Sequence, residues 1–255
     1  MNFIVSAATD IGLVKAKNQD SLNVRVYRTD LGRVVFAVIC DGMGGLSKGE
    51  LASASVVRAF TRWADTRLST LVSSGIADSD IRNDWVSLVT VFNSKIREYG
   101  HQAGIELGTT VTAILLTDNR YFIINVGDTR VYEISDQVAI LTADQTFVAR
   151  EVELGHMTQE EARVHPRKSV LLQCIGASEV VYPDMYFGRT KQNAIYMLCS
   201  DGFRHEISTQ EIYDNLNPNI IMNEETMQSK LELLIDINKQ RQERDNITAI
   251  AIRTF

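Results

Sequence analysis

Val34-Val-Phe-Ala-Val-Ile-Cys-Asp-Gly-Met-Gly-Gly45 holds seven apolar residues in a row, then an aspartate and three glycines in four positions. An uninterrupted apolar run of this length reads as a central strand covered on both faces, because a half-exposed strand would alternate. The run stops at Asp41, which places a carboxylate at the end of a rigid element. No Gly-Lys-Ser/Thr follows, so a phosphate-cradling P-loop does not fit. Asp-Gly after a strand is by itself a common turn. The glycines also allow close backbone approach, which would let the Gly42 carbonyl join the Asp41 carboxylate on a metal.

Three other aspartates repeat the arrangement. Asp128 follows the apolar run 121–127, Asp201 follows 195–200, and Asp245 precedes 247–252. Each alone reads as a turn former, cap or hairpin closer. Together they place carboxylates at several strand ends, where they would repel one another unless cations sat between them. The pattern points to hard, oxygen-seeking divalent metals.

Composition is that of an ordinary globular chain. The 255 residues suffice for one domain with a substantial core, and the net charge of −6 argues against a nucleic-acid surface. Cys40, Cys174 and Cys199 form no CxxC pair or zinc spacing and read as buried free thiols, which fits a reducing cytoplasm. The segment 1–9 has no basic start and resembles a first strand rather than a signal peptide. No apolar run approaches the ~20 residues of a membrane helix.

Elsewhere, segments 1–8 and 22–27 read as strands. Helical spacing runs through 49–68, with Leu51, Ala54, Val57, Phe60, Ala64 and Leu68 on the apolar face, and again through 79–102, with Ile81, Trp85, Leu88, Val89, Phe92 and Ile96. Segments 109–116 and 121–126 form a hairpin, as do 131–134 and 138–141. From 143 to 178 the texture turns charged and helix-prone around Gly155 and Pro166, as in a small inserted subdomain. A strand at 194–199, helices at 209–216 and 224–241, and a strand at 247–253 close the chain. Strands at both ends with helices in pairs predict a layered α+β fold rather than βαβ units.

Thr9-Asp-Ile-Gly-Leu-Val-Lys-Ala-Lys-Asn-Gln-Asp20, Asp41-Gly-Met-Gly-Gly45, Gly49-Glu-Leu-Ala-Ser53, Gly108-Thr-Thr110, Val126-Gly-Asp-Thr-Arg130, Leu141-Thr-Ala-Asp144, His165-Pro166, Ser200-Asp-Gly202 and Arg244-Asp-Asn246 occur in that order. From about residue 6 to 252 the chain thereby resembles the metal-dependent protein phosphatases of type 2C, most closely the bacterial serine/threonine branch. The resemblance implies a four-layer α-β-β-α sandwich, a central β-sandwich flanked by helices, in a single domain spanning 1–255 with a flap subdomain at about 143–178. It implies two manganese or magnesium ions bridged by Asp41, with the Gly42 carbonyl on one and Asp201 and Asp245 on the other. Asp20 joins the list only through the resemblance, and Asp128 with Asp201 would serve a weaker third metal. Hydrolysis of phosphoserine and phosphothreonine by a metal-activated water, without a covalent intermediate, is the implied chemistry. Phosphorylated proteins, an opposing serine/threonine kinase and a monomeric state are the implied partners and assembly.

Three positions depart from the family's pattern. Lys15 stands where an arginine usually grips the substrate phosphate, and an ammonium cannot offer the bidentate fork. Gln19 replaces a common glutamate, and Met43, read as a packing residue, replaces a histidine of animal relatives. Arg130 reads as an ion-pair partner, His165 as a flap anchor, and His205 lies near enough to Asp201 to approach the cleft. Lys15 and Gln19 support one alternative, a catalytically silent domain that binds phosphoproteins. Another is a phosphatase of small metabolites.

Overall fold

Strand β3 (Gly32–Cys40) is buried along its whole apolar run because both of its faces are covered. Val34, Phe36, Val38 and Cys40 pack with helices α1 (Gly49–Ser74) and α2 (Asp78–Ala103), while Val35, Ala37 and Ile39 point the other way. The pleat sends successive side chains to opposite faces, so seven consecutive apolar residues serve two cores at once. The computed structural model describes residues 1–30, 32–43 and 48–255, so Gly44 and Gly45 of the glycine run lie outside the described residues.

One sheet has the spatial order β2 (Ser21–Thr29), β3, β4 (Val111–Leu116), β5 (Tyr121–Val126) and β8 (Asp184–Gly188). The other runs β1 (Phe3–Asp10), β10 (Ile247–Thr254), β9 (Ile195–Cys199), β6 (Arg130–Ile134) and β7 (Val138–Ile140). Every pairing is antiparallel. Ile39, Ile114, Ile123, Leu198 and Ile250 fill the space between the sheets. On the far side, Ile195, Met197, Ala249 and Ala251 face α6 (Thr209–Leu216) and α7 (Glu224–Gln240). The layers are therefore helices, sheet, sheet, helices, as the α+β expectation has it. On the first helical side Phe36, Trp63 and Trp85 lock together, with ring centroids 5.3 to 6.2 Å apart. Aromatic pairs of this kind add about 0.5–1.5 kcal/mol each beyond their burial.

Between β7 and β8 lie two short helices, α3 (Phe147–Glu153) and α4 (Gln159–Val164), each started by a threonine cap. Backbone bonds from Gln145 N to Gly127 O and from Thr109 N to Ile175 O tie this segment to the ends of the strands. The His165 ring packs tilted against Phe147 with centroids 5.7 Å apart, and the Arg167 guanidinium lies over the Phe147 ring at 3.7 Å.

Two details differ from the sequence pattern. Leu51 is 44% exposed and Ala54 half-buried, while Val57, Phe60, Ala64 and Leu68 lie on the buried stripe of α1 as read, joined by Ala52, Val56 and Trp63. The indole of Trp63, wedged against Phe36 and Trp85, sets the rotation of that helix. Strand β8 gave no periodic signal because all five of its residues are half-buried, without alternation. Among the described residues no helix is long and apolar enough to cross a membrane.

Candidate metal centre

Asp41 sits at the end of β3 with its backbone pinned by two threonines. Its N–H donates to Thr110 Oγ1 at 2.9 Å, and its carbonyl accepts from Thr109 Oγ1 and Thr110 N, both at 2.9 Å. Gly42 follows where only glycine fits: a Cβ there would stand 2.5 Å from Gly49 O and 2.6 Å from Gln19 O. Asp20 directly precedes β2, and its Oδ2 accepts from Thr248 Oγ1 at 2.5 Å. Asp201 opens the single turn α5 (Asp201–Arg204) after β9, and a Cβ on Gly202 would meet Asn246 O at 2.2 Å. Asp128 lies between β5 and β6, and Asp245 just before β10.

The loop that carries Lys15 is drawn in by Asn246. Its Oδ1 accepts from Gln19 N at 2.8 Å, and its Nδ2 donates to Ile11 O at 2.9 Å and Lys17 O at 3.1 Å. Asn246→Ala would leave a buried N–H and two carbonyls without their partner. It is expected to cost about 1–3 kcal/mol in urea unfolding and to raise KM more than it lowers kcat; an unchanged midpoint would contradict the clamp.

The strand ends bring the carboxylates face to face. Asp41 is held well above the ordinary carboxylate range, first by burial and then by Asp20, Asp201, Asp128 and Asp245 around it. Burial, with Asp201 and Asp245 nearby, pushes Asp20 up to about 7 despite its hydrogen bonds. Asp128 is likewise pushed up to about 7 by burial and by Asp201, with Arg204 opposing. Asp20 and Asp41 keep an edge open to solvent although protein atoms surround most of each group.

These donors suit a divalent cation. Asp20 Oδ1 and Asp201 Oδ1 are buried acceptors with no hydrogen-bond donor, among carboxylates that repel one another. Buried acceptors without partners call for an ion or water, and an all-oxygen set selects magnesium- or manganese-like ions over soft metals. Among the described residues, no group of three His, Cys, Asp or Glu side chains is closed tightly enough to hold an ion alone. The carboxylates gather along one rim without closing into a ready-made ligand set.

Protein cations line the same rim. Lys15 Nζ lies 2.7 Å from Asp245 Oδ1. Burial alone would lower its pKa, but Asp245, with Asp41 and Asp201 behind it, more than offsets this and leaves it raised. Arg130 grips Asp144 through two bonds of 2.7 Å, the ion pair expected for it. His205 bridges Asp201 at 3.5 Å and Glu243 at 3.2 Å. Met43 donates its N–H to Gly108 O at 3.0 Å, and its Cε lies against Gly108. Asp20, Asp41, Asp128, Asp201 and Asp245 thus converge with Gly42 and Lys15. Sequence reasoning did not single out Asn246, Arg204 or Glu243, and only Asn246 left a signal there, within Arg244-Asp-Asn246.

The model of the protein phosphatase 2C family matches residues 14–245. Protein phosphatase PhpP of Streptococcus pneumoniae is 29% identical over 97% of this chain and 96% of its own. The serine/threonine phosphatase of S. agalactiae superimposes with a TM-score of 0.85 at 28% identity, covering 100% of both chains. The catalytic domain of the serine/threonine protein phosphatase PstP, solved in complex with two manganese ions, gives 0.77 at 26% identity over 99% of both.

Proposed function

The chain belongs to the protein phosphatase 2C family and is a phosphoprotein phosphatase; on that premise we propose that it hydrolyses phosphoserine and phosphothreonine in proteins with a divalent metal pair held by its strand-end carboxylates. The observation that carries this is the convergence of Asp20, Asp41, Asp201 and Asp245, with buried oxygens on Asp20 and Asp201 that lack a donor. Asp41 and the Gly42 carbonyl would share one ion, and Asp41, Asp201 and Asp245 the other, with Asp20 close by. When bound, manganese or magnesium supplies an activated water and neutralises the phosphoryl oxygens. That PstP was solved with two manganese ions makes manganese the first ion to try.

The chain's own residues do the rest. Thr109 and Thr110 fix the Asp41 backbone, and with it the point from which the carboxylate is presented. Lys15 is the half-exposed cation of the rim: its ammonium rests on Asp245 and would turn to a substrate phosphate once Asp245 is occupied otherwise. Lys15→Ala is expected to raise KM for a phosphopeptide about tenfold, a loss of about 1.4 kcal/mol of charged contact, with kcat changed less. An unchanged KM would remove Lys15 from substrate binding. Segment 143–178 would border the substrate cleft as a flap, anchored beside Gly127 and Thr109.

Substrate class is tested by comparing hydrolysis of phosphothreonine and phosphoserine peptides with that of sugar phosphates. Peptides should be preferred by at least ~10-fold in kcat/KM, about 1.4 kcal/mol of differential binding. A preference for sugar phosphates would overturn the protein-substrate reading, and no hydrolysis of either with metal bound would favour a silent phosphoprotein-binding domain.

A further inference from the structure

The turn after Asp201 carries Arg204 and His205, and both side chains reach back onto carboxylates of the centre. Arg204 Nη2 donates to the Asp128 carbonyl at 2.9 Å and to Asp144 Oδ2 at 3.1 Å, and stands 3.7 Å from Asp128 Oδ2. The guanidinium is 12% exposed, against 7% for Asp128. Asp144 is fixed from its other side by the Arg130 fork, so Arg204 cannot swing away without leaving two charges unpaired. On the neighbouring side, His205 Nε2 lies 3.5 Å from Asp201 Oδ2 while its Nδ1 lies 3.2 Å from Glu243 Oε2. Glu243 is itself held, its Oε1 accepting from the N–H groups of Arg244 and Asp245 at 2.7 and 2.8 Å.

We infer that Arg204 and His205 are resident cations of the Asp128–Asp201 side of the centre and close it to a third metal, so that the protein takes two divalent ions and no more. The inference rests on the proposed metal pair. Its physical basis is direct. A third ion between Asp128 and Asp201 would face a buried guanidinium 3.7 Å from Asp128 Oδ2 and an imidazole 3.5 Å from Asp201 Oδ2, and like charges in a poorly solvated site repel strongly. The donor-free Oδ1 atoms of Asp20 and Asp201 are the acceptors left to the metal pair, and the cation beside them, Lys15, reaches Asp245 on a flexible stem from a loop. Arg204 is thereby a positioning residue, holding Asp128 against Asp144 in the role a weakly bound metal would otherwise fill.

Native mass spectrometry of the full chain, stripped with chelator and titrated with manganese(II) up to about 1 mM, the weak end of protein sites for divalent ions, tests this. Wild type should saturate at two ions. Arg204→Gln should gain a third, Arg204→Lys should stay at two, and His205→Asn, which disturbs less buried packing, should also gain a third. Three ions on wild type, or two on both Arg204→Gln and His205→Asn, would overturn the inference while leaving the metal pair standing. No ion on wild type would instead overturn the metal reading itself.

Discussion

Asp41→Asn is expected to lower manganese-dependent phosphopeptide hydrolysis by at least about 10³-fold, some 4 kcal/mol of transition-state stabilisation, and at the same time to stabilise the metal-free protein. The two effects share one cause. Asp41 faces four other carboxylates, and burial adds to their repulsion, so its charge is a liability until a cation is present. An amide keeps the shape and leaves the backbone bonds to Thr109 and Thr110 untouched, because those use the N–H and carbonyl of residue 41. Activity assays and thermal unfolding in chelator check the pair of outcomes. A variant that loses activity and also stability would show that Asp41 serves the fold rather than the metals.

The second large effect is a loss of stability in the metal-free protein as pH rises from about 5 to 7, on the order of a few kcal/mol. Asp20 and Asp128 are pushed up to about 7 and Asp41 is raised as well, so the native state retains protons that the unfolded chain has already released. Folding is then favoured on the acid side of that window and weakened as these groups are forced to ionise. His205 acts in the same direction: burial works against its charge, but Glu243 and Asp201 more than offset this, and its contribution is lost as pH rises through its raised pKa. Groups with lowered pKa, such as Glu211 at about 2, are already ionised there and do not oppose the trend. Manganese should abolish the slope by compensating the carboxylates. Melting curves in chelator at pH 5, 6 and 7 should show a falling midpoint, recovered by manganese mainly at pH 7. A midpoint that rises with pH in chelator would contradict the electrostatics described for the rim.

Much of this was legible in the chain, for physical reasons that differ from residue to residue. The unbroken run before Asp41 announced a doubly covered strand because two cores need apolar side chains on both faces of β3. The strand-end aspartates were visible as punctuation of four such runs, and the structure places their carboxylates on one rim. Asp20 lacked that signature, since it precedes the half-buried strand β2, and only the family resemblance pointed to it. Strand β8 was invisible because an edge strand with uniform partial burial imposes no pattern. The ion pairs were hidden for another reason. Lys15 meets Asp245, and Arg204 meets Asp128, across distances in sequence that no local pattern reports. Asn246 could be suspected from its place beside Asp245, but its hold on the loop through Ile11, Lys17 and Gln19 depends on the closing strand folding next to the first.

The central claim is that the strand-end carboxylates act through divalent metal on a phosphorylated protein side chain. The most direct test is hydrolysis of a phosphothreonine peptide by chelator-stripped full-length chain before and after manganese is restored. Activity should be absent without metal and should return as manganese binds, and Asp41→Asn should not recover it. Hydrolysis that persists in chelator, or that Asp41→Asn leaves intact, would contradict it.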